Sequence, residues 1–294
     1  MIRNLGIVAV ALLVPALLAA QEKYTIKMRH GAQGDISART QESTKKEAVT
    51  VTGPDGTVMM EKNQTVVEKF KYTEEILTKV KGERPTKVQR TYSEATKKAG
   101  EDTDKFKFHG QKVLIEKKGD SYHFSMDDGK ELTGEDAGHL VQAFGEKKPS
   151  DEEMDKLLLP EKPVAEGESW TIDAKKFAAL LGGDEKVAQT FNLEKSKAGG
   201  KLVKAYKKDG KQFGVLEYTI EMPMSKLEGK LPCKDGSKME LKIVVDGCID
   251  GTRDTNKATF KSTVKGEATD KDSGVVVKFD ISGDEKSSTE PAKK

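Results

Sequence analysis

The sequence predicts a mainly β (α+β) protein: curved antiparallel sheets in two strand-rich halves, with about three short covering helices. Three observations carry this. Apolar residues recur at every second position in many short runs, Tyr24, Ile26 and Met28 being the first, and a two-residue period marks a half-buried strand. Turn chemistry such as Gly53-Pro54-Asp55-Gly56 and Asp209-Gly210 separates these runs at short intervals, which suits antiparallel neighbours. Between the halves lies a joint, Leu157 to Trp170, that contains Pro160, Pro163, Gly167 and the only tryptophan. Its prolines exclude a helix and push Leu159 and Lys162 into extended conformations.

In order along the chain, residues 1–20 read as a secretory signal peptide. Arg3 precedes an uncharged apolar run over 5–18, and small residues at Ala19-Ala20 precede Gln21. The run is shorter than the roughly 20 residues of a membrane-spanning helix. Residues 21–159 form the first half. Ile36, Ala38 and Thr40, then Val49 and Val51, lead into the Gly53 turn, and Val58 to Met60 leads out. The stretch 65–81 fits both periods in part, and its β-branched and aromatic residues favour a strand. Val88, Arg90 and Tyr92 alternate next, and 93–105 reads as a polar connection without regular structure. A hairpin spans 106–125 around Lys117-Lys118-Gly119-Asp120, with Ile115 opposite Tyr122 and Val113 opposite Phe124 on its buried face.

Thr133-Gly134-Glu135-Asp136 starts a helix with Ala137, Leu140, Val141 and Phe144 on one side. Ser150 to Glu153 starts another, with Met154, Leu157 and Leu158 inward, which Pro160 ends. After the joint, Asp173 caps a third, with Phe177, Leu180 and Leu181 as its stripe and Gly182-Gly183 as its stop. Residues 160–282 form the second half. Phe191 and Leu193 precede a turn at Gly199-Gly200; Val203 and Ala205 lead to the Asp209-Gly210 hairpin. Strands follow over 215–222, 239–245, 258–264 and 275–281, and 283–294 reads as a disordered polar tail.

Lys and Arg total 51 against 49 Asp and Glu, a net of +2, and loss of Arg3 with the signal peptide leaves +1. That balance has no pull towards nucleic acid. Charged residues make up 34% and aromatics 6%, which implies a thin core and many wet faces. Cys233 and Cys248 are the only cysteines. Closing the loop of about 15 residues between them would contribute roughly 3 kcal/mol in the chain-entropy model. Against the bond, Met239, Leu241, Ile243 and Val245 alternate like a strand between them; such a strand spans roughly 20 Å while bonded Cα atoms lie within about 7 Å, so the flanking residues would have to fold back along it. Both alternatives stand.

At the joint the pattern Leu-Leu-Pro-x-Lys-Pro-Val-x-x-Gly-x-Ser-Trp, preceded by Asp128-Gly129-Lys130-Glu131-Leu132 and a short helix, resembles exported bacterial β-rich proteins of unknown function. The wider layout of sheet and capping helices is similar, more loosely, to the periplasmic lipoprotein-carrier (LolA-like) superfamily. That resemblance implies an incomplete barrel whose concave face holds an acyl chain. No binding residue transfers by motif.

Catalytic signatures are scarce. Gly167-Glu168-Ser169-Trp170-Thr171 has half of a nucleophile elbow but lacks its second glycine and its strand-to-helix setting. His30, His109, His123 and His139 sit in separate segments, and His139 beside Glu135 and Asp136 reads as a solvated side chain. The acidic loops at Asp127-Asp128-Gly129 and Asp270 to Gly274 lack the closing glutamate of a calcium loop and read as hairpin turns. The expectation is an exported, soluble, non-enzymatic binding or interaction protein of the cell envelope, periplasmic or extracellular, without cofactor, metal or nucleic-acid partner. Its alternatives are a carrier of a lipid or other amphiphile in a sheet groove, and an exported hydrolase without a recognisable motif. The ligand-facing surface is expected on Leu216, Tyr218, Ile220 and Met222, and Trp170 is expected to be buried in the joint.

Overall fold

The computed structural model describes residues 22–145, 149–180, 190–228 and 230–293. The expected signal peptide and the Gly182-Gly183 stop lie outside them. Alternation of apolar and polar side chains forms β1 (Lys23–Tyr24), β2 (Ile36–Thr52) and, after the Gly53 turn, β3 (Val58–Thr78). Gly56 closes that turn at φ +83°, a conformation that a Cβ makes costly. Next come β4 (Lys87–Ala99), β5 (Asp102–Lys105), β6 (Lys112–Lys118) and β7 (Ser121–Met126). Two helices, α1 (Gly134–Phe144) and α2 (Asp151–Leu158), precede β8 (Val164–Ala165), β9 (Ser169–Thr171) and α3 (Ala174–Leu180). The second half holds β10 (Lys197–Lys208), β11 (Lys211–Pro223), β12 (Lys226–Leu227), β13 (Leu231–Pro232), β14 (Lys238–Cys248), β15 (Asn256–Thr269) and β16 (Val276–Pro291). The fold is mainly β, antiparallel, with three short helices among the described residues.

The two halves share a 12-stranded sheet in the order β7-β6-β4-β3-β2-β16-β15-β14-β11-β10-β9, with β5 beside β4. Its middle is the pairing of β2 with β16, from Thr52 opposite Val276 to Ser37 opposite Pro291. This corrects the expected disordered tail: 283–291 is strand, bonded to β2 on one side and, up to Thr289, to β15 on the other. Polar residues there are compatible with order because Thr and Ser suit a pleated surface and every backbone group finds a partner. Likewise 93–105 is not irregular, since β4 continues to Ala99 and folds back as β5.

Two further expectations shift. The β6–β7 hairpin turns on Gly119-Asp120 alone, so Ile115 faces Phe124 and Val113 faces Met126. A slip of two residues leaves every side chain on its expected face. Gly199-Gly200 is no turn but part of β10, where Gly200 lies opposite Trp170. A Cβ on Gly200 would come within 2.3 Å of the Trp170 ring, so glycine makes room for the indole.

One cross-strand row shows how the sides are divided. Phe70 faces Gln41, Gln41 faces Ser287, Ser287 faces Ala258, Ala258 faces Val245, and Val245 faces Leu216. Phe70 and Leu216 therefore point to the same side of the sheet. Among the described residues, the apolar clusters gather there. One core sits over β3, β4, β6 and β7 under α1, with Phe70, Tyr92, Phe108, Ile115 and Leu140 buried. A second sits over β10, β11 and β14, where Ile26, Ile172, Phe177 and Ile249 cover Leu202 and Leu216. A small third cluster joins Met224, Ala268 and Phe279 under the β12–β13 ribbon. The other side of the sheet carries rows such as Lys71, Thr40, Ser288 and Lys257 and faces water.

Candidate binding cleft at the junction of the two halves

The expected ligand-facing row is filled. Leu216, Tyr218, Ile220 and Met222 are all buried in the second core, beneath the crossing segment, the joint and α3, whose Ile26, Val164 and Phe177 reach the same cluster. An apolar row on the side that receives every covering element was bound to be capped. Pro160 and Pro163 hold the joint extended, Val164 and Ala165 pair with β1, and Gly167 takes φ +84° at the turn into β9. Trp170 is half-buried rather than buried; its Nε1 donates to the Leu158 carbonyl at 2.8 Å, and its ring meets Tyr218 edge-on at 6.1 Å. Ser169 is exposed. Cys233 and Cys248 are both free, held apart by β14 and bonded to different strands, β15 and β11.

The structure draws attention instead to the polar strip between the two cores. The crossing segment from β1 to β2 arrives there by bonding first to the second half, Lys27 N–H to the Ile249 carbonyl at 2.8 Å. It then bonds to the first, Gly34 N–H to the Ile76 carbonyl at 2.7 Å. Gly31 allows close contact, because a Cβ there would sit 2.6 Å from Ile76 Cδ1. Under this segment lies a cleft of about 250 Å³, floored by Ile36, Ile76 and Pro291 and lined by Arg29, Asp35, Arg39 and Asp254.

Behind its wall sits a charged triad. Glu74 accepts from Arg90 Nε at 2.8 Å and forms an ion pair with Arg39, whose Nη2 lies 3.0 Å from its carboxylate. The Glu74 and Arg90 side chains are only 7% and 6% exposed. Arg90 also donates to the Tyr92 hydroxyl at 3.3 Å and lies over the Tyr72 and Phe144 rings at 4.5 and 4.7 Å. Burial disfavours the Glu74 carboxylate, but Arg39 and Arg90 outweigh it and hold its pKa below the usual range. Burial raises Tyr92 to about 12, so its hydroxyl keeps its proton.

At the cleft itself the charges are less spent. Arg29 and Asp35 bond each other at 2.6 Å. Arg39 pairs in charge with Glu74 and donates its Nε–H to Ser37 Oγ at 3.2 Å, one of the five N–H donors that a guanidinium offers. Asp254 has no hydrogen-bond or ion-pair partner among the described residues, and burial raises its pKa while Arg39, Arg29 and His30 pull it down. Beside it, Thr255 keeps a buried hydroxyl without a partner. Near this cleft His30 bridges to α2, Nε2 to Asp155 at 2.9 Å and Nδ1 to Asp151 at 3.7 Å, and Lys79 holds Asp151 as well.

None of these residues was singled out as a site from sequence. A signal was present: Glu74 and Arg90 occupy the inward phase of strands whose other inward residues are Tyr72 and Ile76, or Val88 and Tyr92. A charge in that phase must find a partner. The segments that bring Asp254, Arg29 and His30 to it are loops far apart in sequence and leave no spacing pattern. His139 departs from expectation too, stacking on Phe70 at 3.8 Å. Among the described residues no group of three or more metal-type side chains converges, and no helix is long and apolar enough to cross a membrane.

No family model and no curated protein matches the chain. Among solved structures, DynF from the dynemicin biosynthesis pathway of Micromonospora chersina aligns at a TM-score of 0.14 and 8% identity. The alignment covers 98% of this chain and 94% of that one. A likeness at that level carries no argument about fold or function.

Proposed function

We propose that the protein is an exported, soluble, non-enzymatic binding protein of the cell envelope that takes a small ligand in the junction cleft. The observation that carries this is the state of Asp254. A charge network serving stability alone closes on itself, as Glu74 does between two arginines. Asp254 instead lines an open cleft together with Arg39 and has no partner among the described residues, and a half-buried carboxylate left unpaired in a cleft is a place for a ligand to complete. Export rests on the N-terminal sequence pattern. The hydrolase alternative needs a nucleophile on His30, whose hydrogen-bonding and ion-pairing partners are the carboxylates of Asp155 and Asp151.

The amphiphile-carrier alternative has one observation of its own. Phe260 is 37% exposed on the packed side, opposite Ile243 and next to partly buried Leu241. The deciding experiment is native mass spectrometry of the protein purified from its own envelope, followed by a thermal-shift screen of small polar metabolites. A small-molecule adduct, or a ligand-dependent rise in Tm lost in Asp254→Asn, supports the cleft. Co-purified lipid would move the reading to the carrier, and turnover of ester or glycoside substrates would move it to the hydrolase.

A further inference from the structure

We infer that the ligand class of the junction cleft is a small zwitterion, a carboxylate and an ammonium carried on one carbon with a short apolar side chain, as in an aliphatic α-amino acid. This deepens the binding proposal above and rests on it. The cleft wall is charge-balanced, with Arg29 and Arg39 against Asp35 and Asp254. Arg29 and Asp35 neutralise each other in direct contact, which leaves one group of each sign with capacity to spare. Arg39 has planar N–H donors left over, the geometry that suits a carboxylate. Asp254 has both oxygens available, the acceptor that an ammonium needs. The two groups line the same cleft and feel each other's charge but do not form an ion pair, which leaves both for a ligand in that cleft.

Ligands of a single charge fare worse. A simple anion on Arg39 would be set beside Asp254, and a simple cation on Asp254 beside Arg29 and Arg39, so each leaves one group unmatched and meets a like charge. A zwitterion satisfies both and adds no net charge to a half-buried site. Ile36, Ile76, Pro291 and Ala292 supply the remaining wall, an apolar surface for a short side chain. The volume of about 250 Å³ corresponds to roughly eight water molecules at ~30 Å³ each, which admits an amino acid.

The test uses three matched probes on the full mature chain by isothermal titration calorimetry: L-valine, isovalerate, which lacks the amine, and isobutylamine, which lacks the carboxylate. L-valine is expected to bind at least about tenfold more tightly than either half. Asp254→Asn, which removes charge at a position that breaks no bond in the structure, is expected to weaken L-valine about tenfold or more while leaving isovalerate unchanged or tighter. If isovalerate equals L-valine in the wild type and Asp254→Asn changes neither, the zwitterion is overturned while a binding cleft for anions survives. If isobutylamine equals L-valine, the site is a cation site and the inference fails in the other direction. If none of the three binds, nor glycine, alanine or leucine, the zwitterion inference falls, while the cleft as a ligand site stands or falls with the native mass spectrometry and thermal-shift screen.

Discussion

The two large cores lie on the same side of one sheet and meet the same demand with different materials. The first is aromatic: Tyr92 packs on Phe70 and Phe108, and Phe144 on Phe124, in tilted and edge-on pairs, and the Glu74–Arg90 pair is buried at its border. The second is mostly aliphatic, holds no buried charge among the described residues, and is closed by the half-buried Trp170. Rings tolerate a guanidinium because their faces attract cations, and Arg90 lies over two of them. Aliphatic side chains offer it nothing. The charged groups of the junction therefore grow out of the first core and stop where the second begins.

That contrast can be broken most severely by removing what joins the two. Truncation after Ser282 deletes Gly283 to Pro291 of β16, and with them the pairing to β2 from Lys45 to Ser37 and to β15 from Ser262 to Asn256, which leaves two long strands with open edges in the middle of the sheet. The expected cost exceeds about 5 kcal/mol, enough to unfold an ordinary domain. Circular dichroism of the truncated chain should show loss of the cooperative urea transition; an unchanged midpoint would mean that the tail is dispensable.

A smaller break is confined to the first core. Glu74→Ala strands Arg90 and deprives Arg39 of its partner, with an expected loss of about 3 to 5 kcal/mol by urea denaturation. The double variant Glu74→Leu/Arg90→Met should recover most of it, since a buried pair replaced by apolar residues of similar volume is often neutral. In the second core the matching probe is Gly200→Ala. The added methyl meets the indole at 2.3 Å, so Trp170 must move, at about 1 to 3 kcal/mol. Its fluorescence should shift to the red, and an unchanged emission maximum would show that the ring never rested on Gly200.

The fold was readable from the two-residue period, which locates strands and their buried sides even when register is off, as with Ile115 and Phe124. What escaped was coverage. Periodicity tells that Leu216, Tyr218, Ile220 and Met222 share one side, but only the path of the crossing segment and of the joint decides whether that side is open or capped. The polar tail escaped for a related reason: a strand between two other strands takes its order from the ladder, which composition does not record. The cleft escaped because Asp254, Arg29 and His30 come from loops, while Glu74 and Arg90 showed themselves only as charges in the wrong phase.

The smallest effect concerns the contact between the two territories. His30 rides on the crossing segment and bonds α2, which packs its leucines on the second core, while Lys79 at the end of β3 reaches the same helix through Asp151. The hydrogen bond to Asp155 raises the His30 pKa, burial opposes it, the charges of Asp155 and Asp151 raise it further, and Lys79 lowers it slightly. A folded-state pKa above the unfolded value of about 6.5 means that the folded protein binds the proton more tightly. The stabilisation is therefore complete below about pH 6.5 and is lost as pH rises through the folded pKa. Because the side chain is 34% exposed, solvent screening keeps the effect below about 1 kcal/mol. Urea midpoints at about pH 6 and about pH 8.5 should therefore fall slightly with rising pH in the wild type and less so in His30→Gln, which keeps a donor for Asp155 but cannot titrate. Equal slopes in the two proteins would show that His30 does not couple the cores through its charge, and that α2 is held by its leucines alone.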